Sequence, residues 1–537
     1  MSGSGPGDRP LAGSGPVGLR LAAAIAALVT FGLARATLLP GVAFWDTGEF
    51  QTVGPVLGTA HPTGYPAYVI LGWLASIVLT PLGEPAFRMN LLAAFLAAAT
   101  AALVVAVTGQ LTRRPLLALA TGLVFGMLPV SWRLATHADP HGFHIALVAL
   151  LLVLLLGWQR RRTDRWLLGA AVVAGVAAAN HSLTVFLVPG VALFVVAVEP
   201  RILERGRRRV VLRGLLVAAL TAGLLYLELP LRAGPFRAPL VYGAPDTFDG
   251  FWYVVLGLQF SGLVAPFGHL GTKLGDLVSV AVGQLGPLAL LVPAGLLATA
   301  IRRPHYALLT APPVVLTGWF AVSYVNAEID RYYLGPALIV LTWIAILADG
   351  LLEAAGRWLA GAGERIATAA GRAADAVRSG GRIVATPGPG RLVALEALAA
   401  VLLLAPSLGA LPTRWASVDR SSDREAARWL DQTLAQLAPG AVVVSWWDFS
   451  TALWYAQLCQ GRRPDIRIVD DRTRLDEHLG GVIDVIDADL GRRPVYLIRP
   501  PTELAELGAR YRLELLAGTP FQPVVRVVGR TGAGAGS

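Results

Sequence analysis

Two carboxylates, a histidine and a tyrosine stand close together in Phe44-Trp45-Asp46-Thr47-Gly48-Glu49-Phe50 and His61-Pro62-Thr63-Gly64-Tyr65-Pro66, just past the first apolar stretch of the chain. Carboxylates, imidazole and phenol are the side chains that move protons in general acid–base chemistry. A loop that is acidic, aromatic and punctuated by Gly and Pro is also what a solvated connection with turn residues looks like. What surrounds it has to decide between the two.

With 55% hydrophobic residues, 15% charged residues and a mean hydropathy of +0.59, the 537-residue chain is far more apolar than a soluble domain. It reads as a polytopic helical membrane protein. Its formal charge of +10 sits in short arginine clusters between apolar spans, which suits loops against an anionic cytoplasmic leaflet and excludes a nucleic-acid footprint. The single cysteine, Cys459, rules out an intramolecular disulfide and a cysteine-based metal cluster.

About eleven transmembrane helices are expected: 17–39, 88–112, 115–132, 142–159, 166–180, 183–198, 211–230, 276–300, 305–325, 332–350 and 393–411. Residues 1–16 read as a disordered cytoplasmic tail, 17–350 as the membrane module, 351–392 as a basic cytoplasmic linker and 531–537 as a second tail. Arg113/Arg114, Arg160 to Arg165, Arg201 to Arg209, Arg302/Arg303 and the stretch Arg357 to Arg391 fall in alternate loops, so those loops face the cytoplasm. The pattern holds only if the short apolar piece Ala67 to Leu82 does not cross, and it is read as a re-entrant or juxtamembrane helix.

Four outer segments then share a face. They hold Asp46, Glu49, His61 and Tyr65; Arg133, His137, Asp139 and His141; Arg232, Arg237, Tyr242 and Trp252; and Asn326, Glu328, Asp330, Arg331 and Tyr332. Arg88 opens its span from the same side. Ionisable groups gathered at span ends commonly line a polar cavity, whereas Trp252, Tyr332 and Tyr333 also suit an aromatic belt. Asn180-His181 interrupts an apolar run, either as a hairpin tip or as a substrate contact.

At this point the sequence resembles a family. Asp46-x-Gly48-Glu49-Phe50 followed by Gly58-Thr-Ala-His-Pro-Thr-Gly-Tyr-Pro66 is similar to the first outer loop of the GT-C membrane glycosyltransferases, in the branch related to the transmembrane protein O-mannosyltransferases. Phe87-Arg88-Met89-Asn90, Ala138-Asp139, Asn180-His181 and Leu229-Pro230-Leu231-Arg232 extend the likeness in the same order. Ala138-Asp139-Pro140-His141 departs from it, since relatives carry Glu followed by Tyr there.

The resemblance implies an inverting transfer of a sugar, mannose being one candidate, from a polyprenyl-phosphate donor to an acceptor hydroxyl on a protein, lipid or glycan. In that reading Asp46 is the base, Glu49 positions the acceptor, and Arg88 holds the leaving phosphate, with Arg133, Arg232 and Arg331 as alternatives. His61, Tyr65, Asp139 and His181 complete the substrate-binding set. No cofactor is expected. Asp46, Glu49, Asp139 and the nearby histidines could compose an oxygen-rich divalent site, but they lack the spacing of a tight motif, so no metal is assigned.

Beyond 411 the composition becomes that of a soluble domain, 412–530. Strands are expected at Val442 to Ser445, Ile466 to Val469, Val495 to Ile498 and Val524 to Val528, with helices between them, giving a mostly parallel α/β domain outside the membrane. Trp446-Trp447-Asp448, with Trp454 and Tyr455, would serve either as a carbohydrate or acceptor platform or as packing. The expected location is the bacterial plasma membrane with the N-terminus inside. A secondary transporter and a glycan-binding envelope scaffold are the rival classes; against the former, no inverted repeat of interrupted helices is visible.

Overall fold

The computed structural model describes residues 16–204, 207–265, 270–325, 328–374, 389–516 and 522–531. The expected tails before 16 and after 531, Asn326, and the linker from 375 to 388 lie outside the described residues. Proline opens one helix after another, because its fixed φ suits a first turn whose N–H would have no partner anyway. In chain order the first elements are α1 (Pro16–Ala36), α2 (Trp45–Val56), α3 (Pro66–Val78), α4 (Pro85–Thr112), α5 (Pro115–Gly126), α6 (Pro129–Leu134), α7 (Pro140–Arg161) and α8 (Asp164–Ala178).

Among the described residues, eight helices are long and apolar enough to cross a membrane. Three of the eleven expected spans fall short of that mark, for visible reasons. α5 ends at Gly126 ahead of Pro129, α8 has 15 residues, and 183–198 begins as the 3-10 turn Ser182–Leu187 before the helix Val188–Val198. α3, at 13 residues, is about 20 Å long at 1.5 Å per residue, too short for a hydrocarbon core of about 30 Å. That agrees with a segment that does not cross.

Arginines of three of the clusters gather at one end of the bundle. Arg114 and Arg302 both bind Asp349, Arg160 reaches Gln110, Arg162 donates to the Val198 carbonyl, and Arg303 donates to the Leu111 carbonyl. Loops that sequence alone assigns to one side are therefore tied together by side-chain contacts. The helix Leu334–Ala374 carries the chain onward from this end, so the first part of the expected linker is a continuation of the preceding span.

The C-terminal domain holds a five-stranded sheet, β1 (Val442–Ser445), β2 (Arg467–Val469), β3 (Val495–Ile498), β4 (Tyr511–Leu515) and β5 (Val525–Arg530), in the order β2-β1-β3-β5-β4. β2, β1 and β3 are parallel; β5 runs antiparallel to β3 and to β4. The helix expected after β3 ends at Gly508, and Tyr511 starts β4, a strand the sequence did not announce.

This domain sits on the first outer loop. Phe50, Val53, Tyr68 and Met89 share one buried apolar cluster with Trp429, Phe449, Trp454 and Tyr455, and the Ala86 N–H donates to the Tyr455 hydroxyl at 3.0 Å. The motif glycine Gly48 marks the closest approach: a Cβ there would lie 2.4 Å from the Ala43 carbonyl oxygen and 2.8 Å from Thr451 Oγ1.

Two outcomes are expected. Gly48→Ala would gain helix propensity in an open helix, yet here it overpacks the interface and should cost about 1–3 kcal/mol in detergent unfolding; an unchanged midpoint would mean the contact yields freely. Reporters fused after Arg209 or Arg303 should read inside and one after Ser417 outside; an inside signal at Ser417 would invert the arrangement.

Candidate functional site

A cavity of about 1150 Å³ opens where the ends of the helices opposite the arginine clusters meet the C-terminal domain. Asp46 enters it from the first turn of α2, with its Oδ2 3.1 Å from Arg331 Nη2. The Nη1 of the same guanidinium lies 3.3 Å from Asp139 Oδ2. One arginine thus ties together the first loop, the start of α7 and the segment before Leu334. Its Nε is enclosed and has no hydrogen-bond partner. Trp447 of the C-terminal domain approaches the other side of Asp46, Nε1 to Oδ1 at 3.4 Å.

Asp139 is the N-cap of α7, and its Oδ1 accepts from the His141 backbone N–H at 2.7 Å and meets His141 Nδ1 at 2.9 Å. His181 caps the following 3-10 turn through Nδ1, which accepts from the Leu183 N–H, and its ring lies 4.6 Å from that of His141 and 5.5 Å from that of Tyr332. On the α2 side, Glu49 receives the His61 backbone N–H at 2.8 Å and grips His61 Nδ1. Gly64 at φ +81 and Tyr65 at φ +49 turn the chain sharply at this point, and Tyr65 reaches the cavity.

Burial acts on every one of these groups, and neighbouring charges either oppose it or add to it. Burial would raise the pKa of Asp46, but His61 and Arg331 outweigh it and hold the carboxyl below its ordinary value. Asp139 is likewise depressed, with His141 and then Arg331 overcoming burial. For His61, burial works downward, yet Glu49 and Asp46 lift the imidazole above 6.5. His181 is driven well below 6.5 by burial, reinforced by the neighbouring histidines.

Asp46, His61, Tyr65, Arg133, Asp139, His181 and Arg331 therefore meet in one cavity. Glu49, Arg88 and Arg232 do not line it. Glu49 stands three residues past Asp46, a helical offset of about 60°, and is fully buried against His61 behind the wall. Arg88 turns back to the Gly83 and Ser76 carbonyls and closes the α3–α4 connection. Arg232 donates to the Leu57 carbonyl at the end of α2. Arg133 is taken up by Asp330 at 2.7 Å. Among the described residues, no group of three or more His, Cys, Asp or Glu side chains is placed to hold a metal ion.

Sequence reasoning left the use of Trp447 open and passed over Asp470 and Arg472. The signal for them lay in the alternation of the C-terminal domain. Loops after parallel strands gather at the carboxyl edge of the sheet, where α/β folds place their sites. Trp447 follows β1 and Asp470 to Arg472 follow β2, and all of them line the cavity.

Residues 46–202 match the family model described as the N-terminal domain of protein O-mannosyl-transferase TMEM260. The mouse protein of that name is 29% identical over 259 residues, a match covering 46% of this chain and 36% of the relative, so it spans about a third of the mouse protein. Among solved structures, ArnT from Cupriavidus metallidurans bound to undecaprenyl phosphate is similar with a TM-score of 0.57 at 15% identity, covering 97% of this chain and 100% of that one. Its apo state gives 0.58 at 15% identity, covering 95% and 98%. The Archaeoglobus fulgidus oligosaccharyltransferase in complex with zinc and sulfate gives 0.51 at 13% identity, covering 94% and 72%. The fold is of the GT-C type, and the resemblance to O-mannosyltransferases seen in the first-loop motif recurs in the family and relative comparisons.

The Glu49–His61 pair has a measurable pH signature. A histidine whose folded pKa is raised stabilises the fold fully below its ordinary 6.5 and loses that contribution as pH rises through the folded value. Glu49→Gln should therefore flatten the decline of the unfolding midpoint above pH 6.5; identical slopes in both proteins would mean the pair is not coupled.

Proposed function

We propose that this chain is a membrane glycosyltransferase that moves a sugar, mannose being the first candidate, from a polyprenyl-phosphate donor to an acceptor hydroxyl at the outer face. A protein Ser or Thr is the acceptor suggested by the name of the mouse relative. The observation that carries the reading is the Asp46–Arg331–Asp139 arrangement inside a cavity walled by membrane helix ends on one side and by a water-facing domain on the other. ArnT, which shares the fold, has been solved with undecaprenyl phosphate bound, and this supports a lipid phosphate as the leaving group here.

The chemistry follows from the charges. In the resting site His61 and Arg331 together hold Asp46 as a weak base, its pKa depressed despite burial. A donor phosphate competes for the guanidinium, starting from the unpartnered Nε. As Arg331 turns its hydrogen bonds to the phosphate, Asp46 loses a stabilising charge and becomes more basic, so the base strengthens when the donor is in place. Asp46 then takes the acceptor's proton, the acceptor oxygen bonds to the anomeric carbon, and the carbon–oxygen bond to phosphate breaks with its electron pair passing to the phosphate oxygen. Arg331 offsets the charge that develops there. Asp139 and its histidine partner hold the guanidinium in place. One displacement inverts the anomeric configuration, and no second nucleophile is required.

Purified protein incubated with labelled polyprenyl-phosphate mannose separates the classes: transfer or hydrolysis marks a transferase, vectorial movement without chemistry a transporter, and retention alone a scaffold. Asp46→Asn should lower turnover by about 10²–10⁴-fold with donor binding retained, and Arg331→Lys should raise the donor KM. Arg88→Lys, whose partners are backbone carbonyls outside the cavity, should leave the donor KM unchanged. Full turnover in the Asp46 variant would overturn the assignment.

A further inference from the structure

Arg472 is the feature of the cavity wall that the proposed reaction leaves unused. It follows β2 in the run Asp470-Asp471-Arg472, it is only 9% exposed, and it lines the cavity. Its guanidinium carbon lies 4.5 Å from the Trp454 ring and 5.1 Å from the Tyr242 ring, so two aromatic faces fix its plane. Its Nε and Nη1 are enclosed and have no hydrogen-bond partner. Asp470 beside it also keeps one enclosed oxygen, Oδ2, without a partner, while its Oδ1 is spent on Thr473.

Its position relative to the reacting centre is fixed by contacts. From the apolar side, Phe320 stacks on Tyr332 at 6.1 Å, Tyr332 on His141 at 5.3 Å, and His141 binds Asp139. Asp139 and Asp46 share Arg331, Trp447 meets the other carboxylate oxygen of Asp46, Tyr242 meets Trp447 at 5.9 Å, and Arg472 lies over the Tyr242 ring. In a single displacement the leaving group and the nucleophile occupy opposite sides of the anomeric carbon. With the phosphate on Arg331, the acceptor comes from the Trp447 side.

Building on that transferase reading, we propose that Arg472 and Asp470 form an acceptor subsite that holds the backbone of a polypeptide next to the hydroxyl that Asp46 activates. Asp471 is paired with Arg474 and Arg499, which leaves the carboxylates of Asp470 and Asp476 on the wall beside the guanidinium of Arg472, so an anionic group there would meet net repulsion. An extended polypeptide is neutral along its backbone and offers a C=O and an N–H at every residue. The carbonyl suits a donor-only guanidinium and the N–H suits the free carboxylate oxygen. The aromatic faces of Tyr242 and Trp447 cover the apolar parts of such a segment.

The test uses the full-length protein in nanodiscs, polyprenyl-phosphate mannose as donor, and a library of Ser/Thr decapeptides beside methyl mannoside as acceptors. Arg472→Lys keeps a cation between the two rings but loses the planar fork. It should raise the peptide KM about tenfold or more, with donor KM and thermal midpoint close to wild type. Asp470→Asn should weaken peptide use in the same direction. An unchanged peptide KM in Arg472→Lys overturns the subsite, as does a rise in donor KM alone. A lowered midpoint with no KM change assigns Arg472 to interdomain packing and also overturns it. Transfer by wild type to methyl mannoside but to no peptide overturns the polypeptide assignment and keeps the transferase. Failure to consume the donor with any acceptor overturns the transferase reading itself.

Discussion

A guanidinium that is nine-tenths enclosed must be compensated where it sits, because an unpaired buried charge is among the most costly defects a fold can carry. Arg331, whose side chain is 10% exposed, meets that requirement with Asp46 and Asp139. The two carboxylates come from segments far apart in the chain, so the pairing fixes the first outer loop against the start of α7 and against the connection into the helix Leu334–Ala374. Each partner is held in turn: Asp139 by the N-terminus of its own helix and by His141, Asp46 by Trp447. An arrangement of three ionised groups with one net negative charge would respond to a further anion that competes for the same cation. The constraint that orders this end of the bundle is therefore the one that the proposed donor phosphate would act on.

The C-terminal domain completes this site. Its three parallel strands direct their carboxyl ends toward the cavity, and two of the loops that follow them supply Trp447, Asp470 and Arg472. The apolar cluster shared by Phe50, Tyr68, Trp429 and Tyr455 sets the distance between the domain and the membrane module, and Gly48 is the residue whose missing side chain allows it. Function on this account belongs to the interface: the membrane module brings the carboxylates and the arginine, and the C-terminal domain brings the opposite wall.

Much of this was legible in the sequence, and the failures have physical causes. Hydropathy and arginine placement gave the membrane class and the shared end of the basic loops, and the first-loop motif gave Asp46, His61 and Tyr65. Three expected spans are shorter as helices than as apolar runs, where a proline or a polar pair cuts the run, as at Pro129 and Asn180-His181, because composition windows do not see helix ends. Arg88 and Arg232 were chosen by sidedness, which places a residue near a surface but does not orient its side chain; both satisfy backbone carbonyls instead. Glu49 took its acceptor role from the motif, and its side chain is instead turned to His61. Arg472 was invisible because its meaning depends on rings brought from Tyr242 and Trp454, residues remote from each other in sequence. β4 was hidden by the short helix that precedes it.

The most direct measurement is the anomeric configuration of the product, read by proton NMR after transfer from polyprenyl-phosphate mannose of known configuration. A single displacement driven by one carboxylate, with phosphate leaving toward Arg331, predicts complete inversion. A product that retains the donor's configuration would require a second nucleophile that this cavity has not been assigned, and would contradict the account.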